Sequence, residues 1–276
     1  GPDDAFRFRL VLGEAEIRRG RYGEAEGLLR PAAAAENSSR DEYPRAAYFL
    51  AYALFQLGKS AEAAGAVDSA LASGGGKEFG PPLLRLKSFA AERLGDSGLA
   101  LDASLDYLAA VPGDFPVRFD IARHLAALRD YPRLAETAAG ILKDYPELAV
   151  RDPRGFGLVR YLQGTAELNL GDYGTAADIL SRLLRGGEAL PPETLASARF
   201  FTAWALYRGA RYAEAFPVFA ETAADTGAGG YFSRASYYGA WCAFSLGRFS
   251  DAAALLEKAV VRAETDGGPV LRRRSR

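Results

Sequence analysis

The chain has 276 residues, 49% hydrophobic, 12% aromatic and 25% charged, with a formal net charge of -1, which is enough apolar content for a substantial core and unlike a disordered tail. A single cysteine, Cys242, and a single histidine, His124, exclude a disulfide framework, a Cys/His zinc site and dithiol redox chemistry, and no run of about 18 apolar residues marks a transmembrane helix. Fifty-three alanines, 29 arginines against five lysines and no methionine skew the composition toward strong helix formers, and near-neutrality argues against non-specific binding to nucleic acid or acidic membrane.

Gly1-Pro2 at the start, without any methionine, reads as a protease-cleavage scar on a trimmed chain, so that a signal, anchor or further domain is expected to lie outside this sequence. From there one phrase recurs down the chain. It stands as Gly20-Arg21-Tyr22-Gly23-Glu24-Ala25, Gly58-Lys59-Ser60-Ala61-Glu62-Ala63, Gly95-Asp96-Ser97-Gly98-Leu99-Ala100 and Arg129-Asp130-Tyr131-Pro132-Arg133-Leu134. Three more copies follow: Gly171-Asp172-Tyr173-Gly174-Thr175-Ala176, Ala210-Arg211-Tyr212-Ala213-Glu214-Ala215 and Gly247-Arg248-Phe249-Ser250-Asp251-Ala252. The spacings between final residues are 38, 37, 34, 42, 39 and 37, the length of a helix, a tight turn and a second helix.

Twelve residues before each final residue stands a small side chain: Gly13, Ala51, Ser88, Ala122, Gly164, Ala203 and Ala240. Four residues after it a large apolar residue stands in five copies, Leu29, Val67, Leu180, Phe219 and Leu256, but Ser104 and Ala138 in the third and fourth. Leu134 replaces the Ala in the fourth copy, so the third and fourth repeats are the least regular. The pattern resembles the tetratricopeptide repeat (TPR), which places a Gly before an aromatic residue, an Ala in the second helix and a small residue where the two helices cross.

The resemblance implies an all-α fold, a right-handed superhelical solenoid of antiparallel helical hairpins in which each hairpin buries its apolar face on its neighbours. Residues 1–266 are expected to form a single array, with repeats at about 6–39, 44–77, 81–114, 115–148, 157–190, 196–229 and 233–266 and a basic tail at 267–276. Segments such as Asn37-Ser38-Ser39-Arg40-Asp41, Gly74-Gly75-Gly76-Lys77, Gly186-Gly187 and Gly227-Ala228-Gly229-Gly230 read as loops between repeats. Gly74 to Lys77 is not a phosphate loop, because Leu71 and Glu78 occupy positions that need Gly and Ser or Thr.

No catalytic or metal site and no cofactor is expected. His124 reads as a surface or packing residue, Cys242 beside Trp241 as a small core position, and no carboxylate pair stands out as an acid/base dyad. In TPR proteins the first helix of each hairpin lines a concave groove that contacts ligands. Carrying the family's six contact positions onto seven repeats selects 42 residues of this chain, 15 of them aromatic. These residues also include eight Arg and three acids, a net +5 against -6 for the rest of the chain. The candidate binding residues are Arg45, Tyr48, Tyr52, Phe55, Arg85, Phe89, Phe119, Arg123, Tyr161, Phe200, Trp204, Tyr207, Arg208, Arg234, Tyr237, Trp241 and Phe244.

Three repeats carry one spacing, Tyr48/Tyr52/Phe55, Phe200/Trp204/Tyr207 and Tyr237/Trp241/Phe244, and steps of four then three residues keep each trio on one helix face. The central members Tyr52, Trp204 and Trp241 are the favoured ligand contacts, while the outer members also suit packing between hairpins. An aromatic, Arg-bearing groove suits an extended peptide or protein segment with apolar anchors and acidic residues or a free carboxylate. The groove holds no Lys and only Asn169, unlike the clamp subclass that grips chaperone tails.

A non-enzymatic protein-interaction scaffold is therefore expected. Two alternatives stand beside it: a periplasmic carrier enclosing a small apolar or anionic ligand, and a helical-repeat binder of single-stranded RNA, against which the net charge counts. The Arg-over-Lys bias points to a GC-rich bacterial coding sequence, and the repeat style is similar to bacterial envelope TPR proteins, which favours a periplasmic or envelope setting and leaves the cytoplasm open.

Overall fold

In the computed structural model the described residues are 2–34, 37, 41–73, 79–186, 190–225 and 230–265. The inter-repeat segments 38–40, 74–78, 187–189 and 226–229 and the basic tail 267–276 lie outside them. Every described element is helical, α1(Pro2–Arg18), α2(Tyr22–Ala32), α3(Tyr43–Gln56), α4(Ser60–Ala72), α5(Gly80–Leu94), α6(Ser97–Ala110), α7(Phe115–Ala127) and α8(Tyr131–Asp144). They continue as α9(Leu148–Arg151), α10(Pro153–Leu170), α11(Tyr173–Arg185), α12(Pro192–Arg208), α13(Tyr212–Ala224), α14(Phe232–Ser245) and α15(Phe249–Thr265). The all-α solenoid of stacked hairpins expected from the repeat is the architecture observed.

The chain falls into two compact units, Gly1–Arg129 and Asp130–Arg276. In the first, hairpins α1/α2, α3/α4 and α5/α6 stack in order and α7 packs on α6; in the second, α8 packs on α10, followed by hairpins α10/α11, α12/α13 and α14/α15. The division falls inside the fourth repeat, where Leu134 replaces Ala. The long 42-residue spacing is taken up by the four-residue α9 and by α10, which starts at Pro153 rather than near 157. Asp152 accepts the Gly155 N–H at 2.9 Å there, and Pro153 at the first turn has no N–H to leave unpaired.

The recurring phrase owes its first residue to backbone geometry. Gly20, Gly58, Gly95, Gly171 and Gly247 all have φ between 72° and 89°, the left-handed conformation that closes a helix and that glycine adopts without a Cβ clash. The N–H of the next residue reaches back five residues, as from Lys59 to the Leu54 carbonyl at 2.9 Å and from Arg248 to Ala243 at 2.8 Å. Arg129 and Ala210 hold the same turn at φ 57° and 58°. In three copies the Asp of the phrase then caps the second helix, Asp96 accepting from Leu99 N–H at 2.9 Å, Asp130 from Arg133 at 3.3 Å and Asp172 from Thr175 at 3.0 Å.

The small residues serve the helix crossings. A Cβ on Gly13 would lie 2.5 Å from Leu29 Cγ, and one on Gly164 would lie 2.6 Å from Leu180 Cγ; both leucines are fully buried. Glycine lets each first helix approach its partner closely enough to seal that leucine. Ala25, Ala63, Ala100, Ala176 and Ala215, the phrase-final residues, are likewise fully buried.

Candidate functional site

The first-helix residues singled out from the sequence separate into three environments. In the first unit the three candidate arginines, Arg45, Arg85 and Arg123, are matched by carboxylates. Arg45 on α3 pairs with Glu14 on α1, which also holds Arg18 at 2.6 Å. Asp120 on α7 takes Arg85 at 2.8 Å through one oxygen and Arg123 at 3.1 Å through the other, and Glu92 stands 3.6 Å from Arg123. Arg7 pairs with Glu42 at 3.3 Å.

Aromatic rings in the same unit are covered by these cations. The Arg85 guanidinium lies 4.5 Å from the Phe89 centroid, Arg93 lies 3.6 Å from that of Phe55 and Arg45 5.9 Å from that of Phe49. Tyr48 packs on Phe79 with centroids 5.7 Å apart, and burial raises its hydroxyl pKa. Tyr52 meets Tyr22 edge-on at 6.3 Å, and Phe119 is half-buried on α7. All three groove acids, Glu14, Glu92 and Asp120, sit in this unit beside six of the eight groove arginines, so about half of the positive groove charge is offset here, and Arg93 donates to the Phe55 carbonyl instead of a carboxylate.

His124 on α7 is buried, with Nε2 3.5 Å from Glu92 Oε1 and neither atom hydrogen-bonded. Burial lowers its pKa, outweighing the opposing pull of Glu92 and Asp120. Cys242 is fully buried, and burial pushes its thiol up to about 11, which places it in the core rather than at a reactive surface.

In the second unit, α10, α12 and α14 present an open pocket of about 660 Å³ that gathers Phe200, Trp204, Arg208 and Arg234 from the candidate list. Leu168, Asn169, Tyr173, Phe201 and Tyr238 complete its lining. Phe200 is buried and forms the floor. Trp204 stacks on Phe200 at 6.4 Å and 9° and on Tyr207 at 5.5 Å, and meets Tyr238 edge-on at 4.6 Å. Both tryptophan neighbours lie on the helix face that the four-then-three spacing defines.

Arg208 at the rim has its guanidinium 4.5 Å from the Tyr173 ring and 5.6 Å from Trp204. No carboxylate among the described residues lies within 4.0 Å of Arg208 or Arg234, both of which are solvent-exposed. Two guanidinium groups facing an aromatic wall without internal counter-charge are available to an external anion. Tyr161, also on the list, stands nearby on α10, half-buried and sharing a 3.0 Å hydrogen bond with Ser197 on α12; burial raises its pKa.

The third environment is the last hairpin. Tyr237, Trp241 and Phe244 are exposed on α14 and, with Ala240, Ala252 and Leu256, surround a depression of about 240 Å³. They do not join Trp204. Tyr173 and Tyr231, which stacks on Phe200 at 4.9 Å, were absent from the candidate list. Tyr173 belongs to the turn phrase and Tyr231 precedes α14, so neither falls on a first-helix contact position. Among the described residues no three His, Cys, Asp or Glu side chains cluster to hold a metal, and no helix is long and apolar enough to cross a membrane.

Stacked hairpins joined by left-handed glycine turns, with an aromatic, Arg-rimmed recess on their first helices, define a helical-repeat protein. The tetratricopeptide repeat family profile matches residues 10–78 and 161–230, just over half of the chain, and the chain belongs to that family. A search of curated proteins finds no match. Among solved structures, MamA from Desulfovibrio magneticus RS-1 is similar, at 16% identity and TM-score 0.55 over 67% of this chain and 96% of that one. A tetratricopeptide repeat protein from Parabacteroides merdae matches at 16% identity and TM-score 0.52 over 94% and 93%. A chain of a Naa15/Naa10 structure bound to HypK-THB matches at 16% identity and TM-score 0.57 over 96% of this chain but 37% of that one. Members of the family serve in general as protein–protein interaction scaffolds and are typically non-enzymatic.

Proposed function

We propose that this chain is an interaction scaffold that binds an extended peptide or protein segment in the recess formed by α10, α12 and α14, with apolar anchors against Trp204 and an acidic group at Arg208 and Arg234. The observation that carries this reading is the contrast in charge pairing. Arg45, Arg85 and Arg123 of the first unit are held by carboxylates of the same unit, whereas Arg208 and Arg234 beside the aromatic wall have none. A cation held against two rings loses little freedom when it meets a carboxylate, and an aromatic pocket supplies the buried contact that dominates peptide affinity.

The test is selection of peptides from a random displayed library on the wild-type chain, followed by titration of the best binder against an Arg208→Ala/Arg234→Ala variant. Each charge-assisted contact contributes about 1.5–3 kcal/mol, so the double variant should bind at least about tenfold more weakly, and added salt should narrow the difference. Selected peptides that lack acidic residues, or that bind both proteins equally, would remove the assignment. Trp204→Ala is a poorer probe, because Trp204 also packs on Phe200 and Tyr207.

A further inference from the structure

Junctions between successive hairpins reuse one pair of repeat positions. Leu29 shares a core cluster with Ala46, Val67 with Leu83, Leu180 with Ala198 and Phe219 with Ala235. In each pair the first residue comes from the second helix of a hairpin and the other from the first helix of the next. All eight side chains have 0% exposure. These pairs are the contact by which one hairpin covers the apolar face of another.

The same positions at the two ends of the described structure are held by Phe8 and Leu256. Phe8 precedes Ala25 by as many residues as Ala46 precedes Ala63, and Leu256 follows Ala252 as Leu29 follows Ala25. Their exposures are 73% and 42%. Val11 and Leu12 are exposed beside Phe8 on α1, and Tyr237, Trp241 and Phe244 beside Leu256 on the α14/α15 hairpin. Contiguous apolar patches on a surface mark contact sites.

We propose that a second copy of this chain docks head to tail, the α1 face of one copy on the α14/α15 face of the other, with the Phe8 ring seated in the depression beside Leu256. Three observations select this occupant. The two exposed faces carry the two halves of the junction that the fold builds repeatedly within the chain, so the contact continues an interface already present. The depression of about 240 Å³ is open to receive one aromatic ring, and Phe8 is the aromatic residue at the matching position. Each of the four buried pairs joins a second helix to a following first helix, so a contact built on the same pair is heterologous rather than two-fold.

The test uses the 276-residue chain in sedimentation velocity over a wide concentration range, beside Phe8→Asp and Leu256→Asp. Both residues are exposed in the isolated chain, so each variant should keep the wild-type circular dichroism spectrum and melting temperature. Wild type should show a mass that climbs past dimer with concentration. Each variant alone should remain monomeric, because its single blocked face stops any copy-to-copy contact. An equal mixture of the two should give a 1:1 dimer and nothing larger, since one variant keeps its α15 face and the other its α1 face. A wild type that stays monomeric at every concentration, a single variant that still self-associates, or a mixture that stays monomeric would each overturn the proposal and leave these faces to another occupant.

Discussion

Ser88 on α5 and Ser104 on α6 share a hydrogen bond of 2.8 Å between hydroxyls that are almost completely buried. Both stand at crossing positions of the third repeat, the first where other copies have Gly or Ala and the second where five copies have a large apolar residue. The two departures from the repeat answer each other. A buried hydroxyl without a partner loses its hydration and gains nothing, whereas two that meet satisfy one another.

Ser104→Ala should therefore destabilise the chain by about 1–3 kcal/mol, because it strands the Ser88 hydroxyl. The double change Ser88→Ala/Ser104→Ala should cost clearly less than the sum of the two single changes. Urea unfolding of the four proteins measures the coupling, and additive single effects would show that the hydroxyl pair contributes nothing.

Ala210→Gly should stabilise. Ala210 holds φ 58° in the α12–α13 turn where five of the other copies have glycine, and a left-handed residue with a Cβ costs about 1–2 kcal/mol. Part of that gain is offset by the larger entropy of glycine in the unfolded chain, so the net expectation is about 0.5–1 kcal/mol. The reverse change, Gly171→Ala at φ 89°, should lower stability by a similar amount, both read as shifts in denaturant midpoint at constant m-value.

The stability of the chain should fall below about pH 6.5 through His124. Burial lowers the folded pKa of this imidazole from its ordinary 6.5, with Glu92 and Arg85 of α5 and Asp120 and Arg123 of α7 around it. The unfolded chain then takes up the proton more readily than the folded one, so the contribution is intact above the unfolded value and is lost as pH drops through it toward the folded value. His124→Gln should flatten the dependence of melting temperature below about pH 6.5. A slope unchanged by the substitution would assign it to carboxylates instead.

Turn position and crossing residues were legible in the sequence because they are local: a left-handed turn calls for glycine, a close crossing for Gly or Ala, and a helix face for period 3.6. Ser88 and Ser104 are 16 residues apart in sequence and read as two defects until α5 and α6 bring them together. The start of α10 at Pro153 was masked by its place inside an unusually long repeat.

What the sequence by itself determined is the repeat, hence the family, the all-α architecture and the stripe of aromatic residues on first helices. Only the tertiary structure decided what each stripe meets. The trios Phe200/Trp204/Tyr207 and Tyr237/Trp241/Phe244 have the same spacing, yet the first is half-sealed under α14 and the second stands open on the last described hairpin. Likewise Arg85 is neutralised by Asp120 while Arg208 meets only aromatic rings. Exposure and charge pairing belong to contacts between helices far apart in the chain, and a local pattern does not contain them.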